Sequence, residues 1–238
     1  MHPSLKETKH RPWPLPNGEW KWRQAWLNLA FIHFPVSSDA LRLMLPSELR
    51  LQQYDGVAWV GLVPLRMSGV MRRPFPDLPP FSAFPELNLR TYVEADGKPG
   101  VWFFSLDAAC WPIVFGGRTF YDLPYYSATM EDVVVGEWHN FRSVRKDGRA
   151  RFRARYRPMG EKYHAIPGTF DHWATERYCL YSHSARKGLR RVEVHHAPWP
   201  LQRAAVHLEE CTILEAAGIK AVGDPVCHFS SGVDVVSY

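Results

Sequence analysis

Glu86, Asn88, Arg90 and Tyr92 recur at every second position of the run Glu-Leu-Asn-Leu-Arg-Thr-Tyr. On a strand this spacing sends an acid, an amide, a guanidinium and a phenol to one face, while Leu87, Leu89 and Thr91 take the other. A solvent-facing strand accounts for such alternation, but solvated strands carry Lys and Glu more often than this mixture. Mixed donors and acceptors are what line a ligand cavity, where each polar atom needs a partner. A second group is Gly117-Arg118-Thr-Phe-Tyr-Asp-Leu-Pro124-Tyr125-Tyr126, in which paired glycines indicate close backbone approach and Pro124 fixes the chain before two phenols. A loop packed by aromatics is its plain alternative. Thr175-Glu176-Arg177-Tyr178 and Glu193-Val-His195-His196 are a third and fourth. Adjacent histidines on a strand point to opposite faces, so His195 and His196 do not chelate one metal, and His196 reads first as a hydrogen-bonded core histidine. A metal site would require distant His33, Glu176 and His196 to converge.

Arg151, Arg153, Arg155 and Arg157 alternate with Phe152, Ala154 and Tyr156. The stripe is either the solvated outer face of an antiparallel strand or a surface for an acidic partner. Residues 142–157 hold seven Arg, one Lys and one Asp, so this one segment outweighs the chain's net charge of +5. Charge so concentrated argues against a protein that coats nucleic acid. No Gly-x-Ser-x-Gly elbow, dinucleotide fingerprint or phosphate-binding loop occurs, and no cofactor is implied. Cysteines 110, 179, 211 and 227 form no Cys-x-x-Cys pair and read as reduced core thiols.

The elements that must position these residues are mostly strands. Chain length is 238, with 46% hydrophobic and 22% charged residues, 20 Pro and 16 Gly, a composition for short strands and many turns. Residues 1–19 form a Pro-rich arm without the apolar core of a signal peptide, which points to the cytoplasm, and residues 20–238 form one domain. No apolar stretch is long enough to span a membrane. Strands are expected at 24–36, 57–70, 86–94, 101–108, 129–135, 140–145, 150–157, 192–196, 204–209 and 227–235, with 57–70 apolar on both faces and therefore central. Asp96-Gly97 and Asp147-Gly148 signal hairpin turns. Short helices are expected over 39–45, capped by Ser38, over 169–178, and over 211–217 before Gly218. Such a set describes a mainly β fold with a few short helices, an antiparallel barrel or sandwich.

Several blocks resemble the YqjF-like bacterial proteins of unknown function: Trp59-Val-Gly61, the Glu86 to Val93 run, Leu123-Pro124-Tyr125, Pro167-Gly168-Thr169, Thr175 to Tyr178, and His195-His196-Ala-Pro-Trp199-Pro200-Leu-Gln202. The likeness runs from about Trp26 to the C-terminus. That family is similar in turn to acetoacetate decarboxylase, which implies a closed antiparallel β-barrel with a central cavity. By that resemblance Glu86, Arg118 and Tyr125 meet inside the barrel, with Asn88, Arg90, Glu176, Arg177 and His196 as further ligand contacts. In the decarboxylase, two lysines follow the proline, and the first forms a Schiff base with the substrate. Tyr125 and Tyr126 occupy those positions here, and a phenol forms no imine with a ketone.

The expectation is therefore a cavity that binds a small carboxylate or carbonyl compound without Schiff-base chemistry. One alternative is lyase, isomerase or hydratase chemistry with Glu86 and Tyr125 as acid and base. Another is an interaction module built on the Arg151–Arg157 strand. Aromatic abundance also admits a homodimer.

Overall fold

Trp22–Val36, β1, opens a twelve-stranded sheet in a computed structural model that describes residues 2–79, 81–184 and 186–238. The strands that follow are β2 (Arg50–Leu51), β3 (Ala58–Arg72), β4 (Phe84–Ala95), β5 (Lys98–Ala108), β6 (Tyr125–Val135), β7 (Trp138–Arg145) and β8 (Arg151–Tyr163). The last four are β9 (Cys179–Ser184), β10 (Gly188–His196), β11 (Leu201–Cys211) and β12 (Val226–Ser237). The short helices are α1 (Ser38–Arg42), α2 (Trp111–Tyr121), α3 (Phe170–Thr175) and α4 (Ile213–Ala216). Each expected strand is present, usually extended by a few residues. β2 and β9 are additions: β2 is only two residues long, and β9 is hidden in sequence because Cys-Leu-Tyr-Ser-His-Ser alternates weakly.

The helices depart more. α1 is capped by Ser37, not Ser38, whose hydroxyl accepts from the amide of Ala40. Thr169 caps α3 by accepting from His172, and the helix stops at Thr175, three residues short of expectation. α2 replaces the expected loop. Its paired glycines weaken the local helical signal, while Pro112 in the first turn and left-handed Asp122 at the end mark its limits.

Sheet order is β10-β9-β5-β6-β7-β8-β11-β12-β1-β3-β4-β2, with β10 also paired to β12 and β5 to β4. The sequence implied an antiparallel sheet throughout, but β5 runs parallel to β6 and to β9. The crossover through α2 is the cause for β6, because a helix between two neighbouring strands returns the chain in the same direction. Asp96 and Gly97 both have positive φ, 51° and 69°, the backbone of a type I′ turn joining β4 to β5.

The central strands β1, β3 and β4 are covered on both sides. Ile32, Val60, Leu62, Leu87 and Leu89 pack into one core with Phe141, Phe152 and Tyr156. Leu29, Phe31, Val63, Leu65, Met67 and Phe84 face the other way, towards Val194, Trp199 and Val235. The N-terminal arm lies against β10. Arg11 is buried and donates to the carbonyl of Val194 at 2.6 Å, and the carbonyl of Ser4 lies 2.8 Å from Nε2 of His195.

Candidate functional site

A cavity of about 600 Å³ opens between β1, β3, β4, β5, β10 and α2. The period-two geometry of β4 turns Glu86, Asn88 and Arg90 into it, while Leu87 and Leu89 fill the opposite core. Antiparallel register sets Leu65 opposite Glu86, Val63 opposite Asn88 and Gly61 opposite Arg90. Polar groups therefore project from one strand into walls that are otherwise largely apolar.

Glu86 is 3% exposed, and its Oε2 accepts a hydrogen bond from the phenol of Tyr125 at 3.1 Å. Burial raises its carboxyl to about 7, against the opposing hydrogen bonds from Tyr125 and Asn88. Burial and the neighbouring carboxylate hold the Tyr125 phenol well above its ordinary value. Gly117 makes room for this ring. A Cβ there would stand 2.3 Å from Cδ2 of Tyr125, closer than atoms can approach. Tyr126 points elsewhere and covers the guanidinium of Arg145 at 4.0 Å.

Two guanidiniums lie on the wall beyond Asn88. Arg90 donates to the carbonyl of Ala174 at 3.3 Å and lies over Phe31. Arg177 donates to Trp173 O and to Oε1 of Gln52, and lies over the rings of Trp173 and Tyr92. Tyr92 itself bonds His33 beneath them. Both arginines are buried, yet among the described residues neither lies within 4.0 Å of a carboxylate. Nε of Arg90, Nη2 of Arg177 and Oδ1 of Asn88 have no hydrogen-bond partner. Burial, reinforced by Arg90, lowers Arg177 to about 9. A buried charge is normally paired, so this wall carries unmet demand for an anion.

His196 also lines the cavity, but its ring is held by structure: Nδ1 lies 2.8 Å from Ala197 O, Nε2 lies 3.4 Å from Arg177 O, and the ring stacks on Tyr178. Two expected ligand contacts are displaced. Arg118 is exposed on α2, because on a helix the position after inward-facing Gly117 turns about 100° away. Glu176 lies off the cavity wall and accepts from the amide of Trp199 at 3.0 Å and from the Tyr178 phenol, so it positions Trp199. His33, Glu176 and His196 do not converge, and among the described residues no group of three metal-ligating side chains is close enough to hold an ion. Gln52, which orients Arg177, carried no signal in sequence because it comes from a distant loop.

The arginine stripe occupies an exposed face. Arg151, Arg153 and Arg157 pair with Glu210, Glu209 and Glu137, and Arg155 lies over Trp138. Much of its charge is therefore answered locally. No described helix is long and apolar enough to cross a membrane.

A mostly β chain wrapped on a cavity, with a buried acid on one wall, has the fold of acetoacetate decarboxylase-like enzymes. The acetoacetate decarboxylase of Legionella pneumophila superposes with a TM-score of 0.61 and 14% identity, over 96% of this chain and 90% of that one. The enduracididine biosynthesis enzyme MppR, solved in complex with pyruvate, superposes with a TM-score of 0.63 and 13% identity, over 96% and 90%. At such identities the likeness is one of fold. Within that class the chain belongs to the DUF2071 family, described as an uncharacterized conserved protein, whose profile matches residues 23–234. It is 42% identical over 224 residues to the uncharacterized protein YqjF of Bacillus subtilis (strain 168), covering 93% of this chain and 92% of that protein.

Proposed function

We propose that this protein binds a small organic acid in its cavity, with the carboxylate taken by Arg90 and Arg177, and does so without Schiff-base chemistry. The observation that carries this reading is the pair of buried guanidiniums, each with an unpartnered N–H and neither facing a carboxylate. Guanidinium pairs carboxylate with two parallel hydrogen bonds, which suits such a wall. A structural neighbour, MppR, was solved in complex with a small organic acid, pyruvate, which agrees with it. The exclusion of an imine rests on the lining itself, in which no lysine takes part. We take residues 20–238 as one domain, and the pairing of β10 with β12 and of β4 with β5 supports reading its sheet as a closed barrel.

Glu86 favours a second reading, turnover by acid–base catalysis. A carboxyl raised to about 7 exchanges protons at neutral pH, and a phenol 3.1 Å away can donate to a carbonyl oxygen. The test is a thermal-shift screen against 2-oxo, 3-oxo and hydroxy acids with Arg90→Gln and Arg177→Gln alongside. An acid at a hundred times its dissociation constant raises Tm by about 5–10 °C in the wild type. The shift disappears in both variants. A shift that survives both substitutions overturns the assignment.

A further inference from the structure

The polar groups of the cavity are not spread evenly along it. From Arg90 outward, β4 presents Asn88, then Glu86, then Phe84, a span of about 20 Å at strand spacing. On the facing strand β3, Val63 stands opposite Asn88, Leu65 opposite Glu86 and Met67 opposite Phe84. Beyond Met67 the register continues to Trp26 on β1, and Val70 and Trp22 continue the lining where burial gives way to partial exposure. The inner end thus holds both unpaired guanidiniums, a sleeve of Met67, Phe84, Trp26 and Val70 follows, and Gln24 and exposed Arg72 stand at the mouth beside Trp22. A volume of about 600 Å³ lies in the range of pockets that enclose drug-sized molecules, about 300–1,000 Å³. A three-carbon acid seated on the arginines leaves most of it unfilled.

From this arrangement we infer that the ligand is an amphipathic carboxylate: an acid whose head group lies on Arg90 and Arg177 and whose apolar tail extends past Glu86 into the sleeve of Met67, Phe84 and Trp26. The inference rests on the acid-binding reading above and adds the tail to it. It also places the Glu86–Tyr125 pair beside the body of the ligand, since Cα of Glu86 lies about 13 Å along the strand from that of Arg90. Any oxygen that Tyr125 meets is then a mid-chain oxygen, several bonds from the carboxylate.

The experiment is isothermal titration of wild-type protein with butanoate, octanoate, dodecanoate and tetradecanoate, with 1-dodecanol as the uncharged control. Arg177→Gln tests the head, and Met67→Trp fills the sleeve. Each added methylene is expected to tighten binding about fourfold as far as tetradecanoate. Arg177→Gln should weaken dodecanoate at least tenfold, and Met67→Trp should return tetradecanoate to the affinity of octanoate, whose tail stops short of the sleeve. Should the Trp variant not fold, the wild-type series decides alone. Equal affinity for butanoate and tetradecanoate, with loss in Arg177→Gln, overturns the tail and leaves the acid-binding reading standing. Binding of 1-dodecanol as tight as dodecanoate, unaffected by Arg177→Gln, overturns the acid-binding reading and the head group with it. No binding by any member of the series overturns both.

Discussion

The phenol of Tyr125 reaches Oε2 of Glu86 at 3.1 Å across β5, which pairs with both of their strands: Ala108 stands opposite Glu86, and Leu106 stands opposite Tyr125. A parallel pairing on one side of β5 and an antiparallel one on the other therefore bring together an acid and a phenol 39 residues apart. Glu86 is buried and Tyr125 is partly buried, and the wall they share is where burial most alters chemistry.

Glu86 should make the protein's stability fall as pH rises. Its carboxyl moves from 4.5 unfolded to about 7 folded, so between these values the folded chain keeps a proton that the unfolded chain releases. The contribution is complete below about 4.5 and is lost through about 7, on the order of 3 kcal/mol in all. Urea denaturation at pH 5 and pH 8 should show the wild type losing stability relative to Glu86→Gln over this interval. Parallel behaviour of the two proteins would refute the shift. Tyr125→Phe removes a bond that favours the ionised form, so it should move the same transition to still higher pH.

Neighbouring glycines of α2 should respond oppositely to alanine. Gly117→Ala drives a Cβ into the Tyr125 ring and should cost about 1–3 kcal/mol or more, with disturbance of the Glu86 contact. At Gly116 the nearest atom to an added Cβ is a Phe120 ring carbon at 4.0 Å. Gly116→Ala should therefore stabilise by about 0.5–1 kcal/mol through helix propensity. Thermal melts of the two variants decide this directly.

Asp107 and Arg145 form a buried pair, with Nε of Arg145 2.9 Å from both carboxylate oxygens. Burial outweighs the guanidinium and keeps the Asp107 carboxyl above its ordinary value, so the pair contributes less than its geometry suggests. Asp107→Leu alone strands Arg145 and should cost about 3–5 kcal/mol. Adding Arg145→Met should recover most of that loss. A double variant as unstable as the single would show that the pair stabilises in its own right.

The N-terminal arm should hold β10 in place. Arg11 donates to Val194 O, to Glu193 at 3.3 Å, and lies over the Tyr178 ring at 4.9 Å, while Trp13 donates to Glu193 at 2.8 Å. Arg11→Ala should cost about 2 kcal/mol and raise amide exchange along residues 190–196. Unchanged exchange there would mean that the arm rests on the sheet without stabilising it.

Local geometry made part of this legible in the sequence. Alternation along β4 showed that Glu86, Asn88 and Arg90 share a face, because side chains of a strand alternate whatever it pairs with. The same rule separated the exposed arginines of β8 from Phe152, Ala154 and Tyr156, and the apolar run over β3 marked a strand covered on both sides. The Asp96-Gly97 turn was readable because few residues tolerate positive φ at both positions. Motif resemblance added the fold family and the tyrosines where the decarboxylase has lysines.

Tertiary structure decided the rest. Arg118 sits in a recognisable block, yet whether it faces the cavity depends on that block being helix, and paired glycines obscured the helix. Glu176 and Arg177 are adjacent in sequence, but one braces Trp199 and the other enters the cavity, a division set by how the end of α3 docks. The unmet charge of Arg90 and Arg177 could not be read from residue types either. It arises because, among the described residues, the strands that bury them bring no carboxylate within reach, and pairing between distant segments is a property of the folded chain alone.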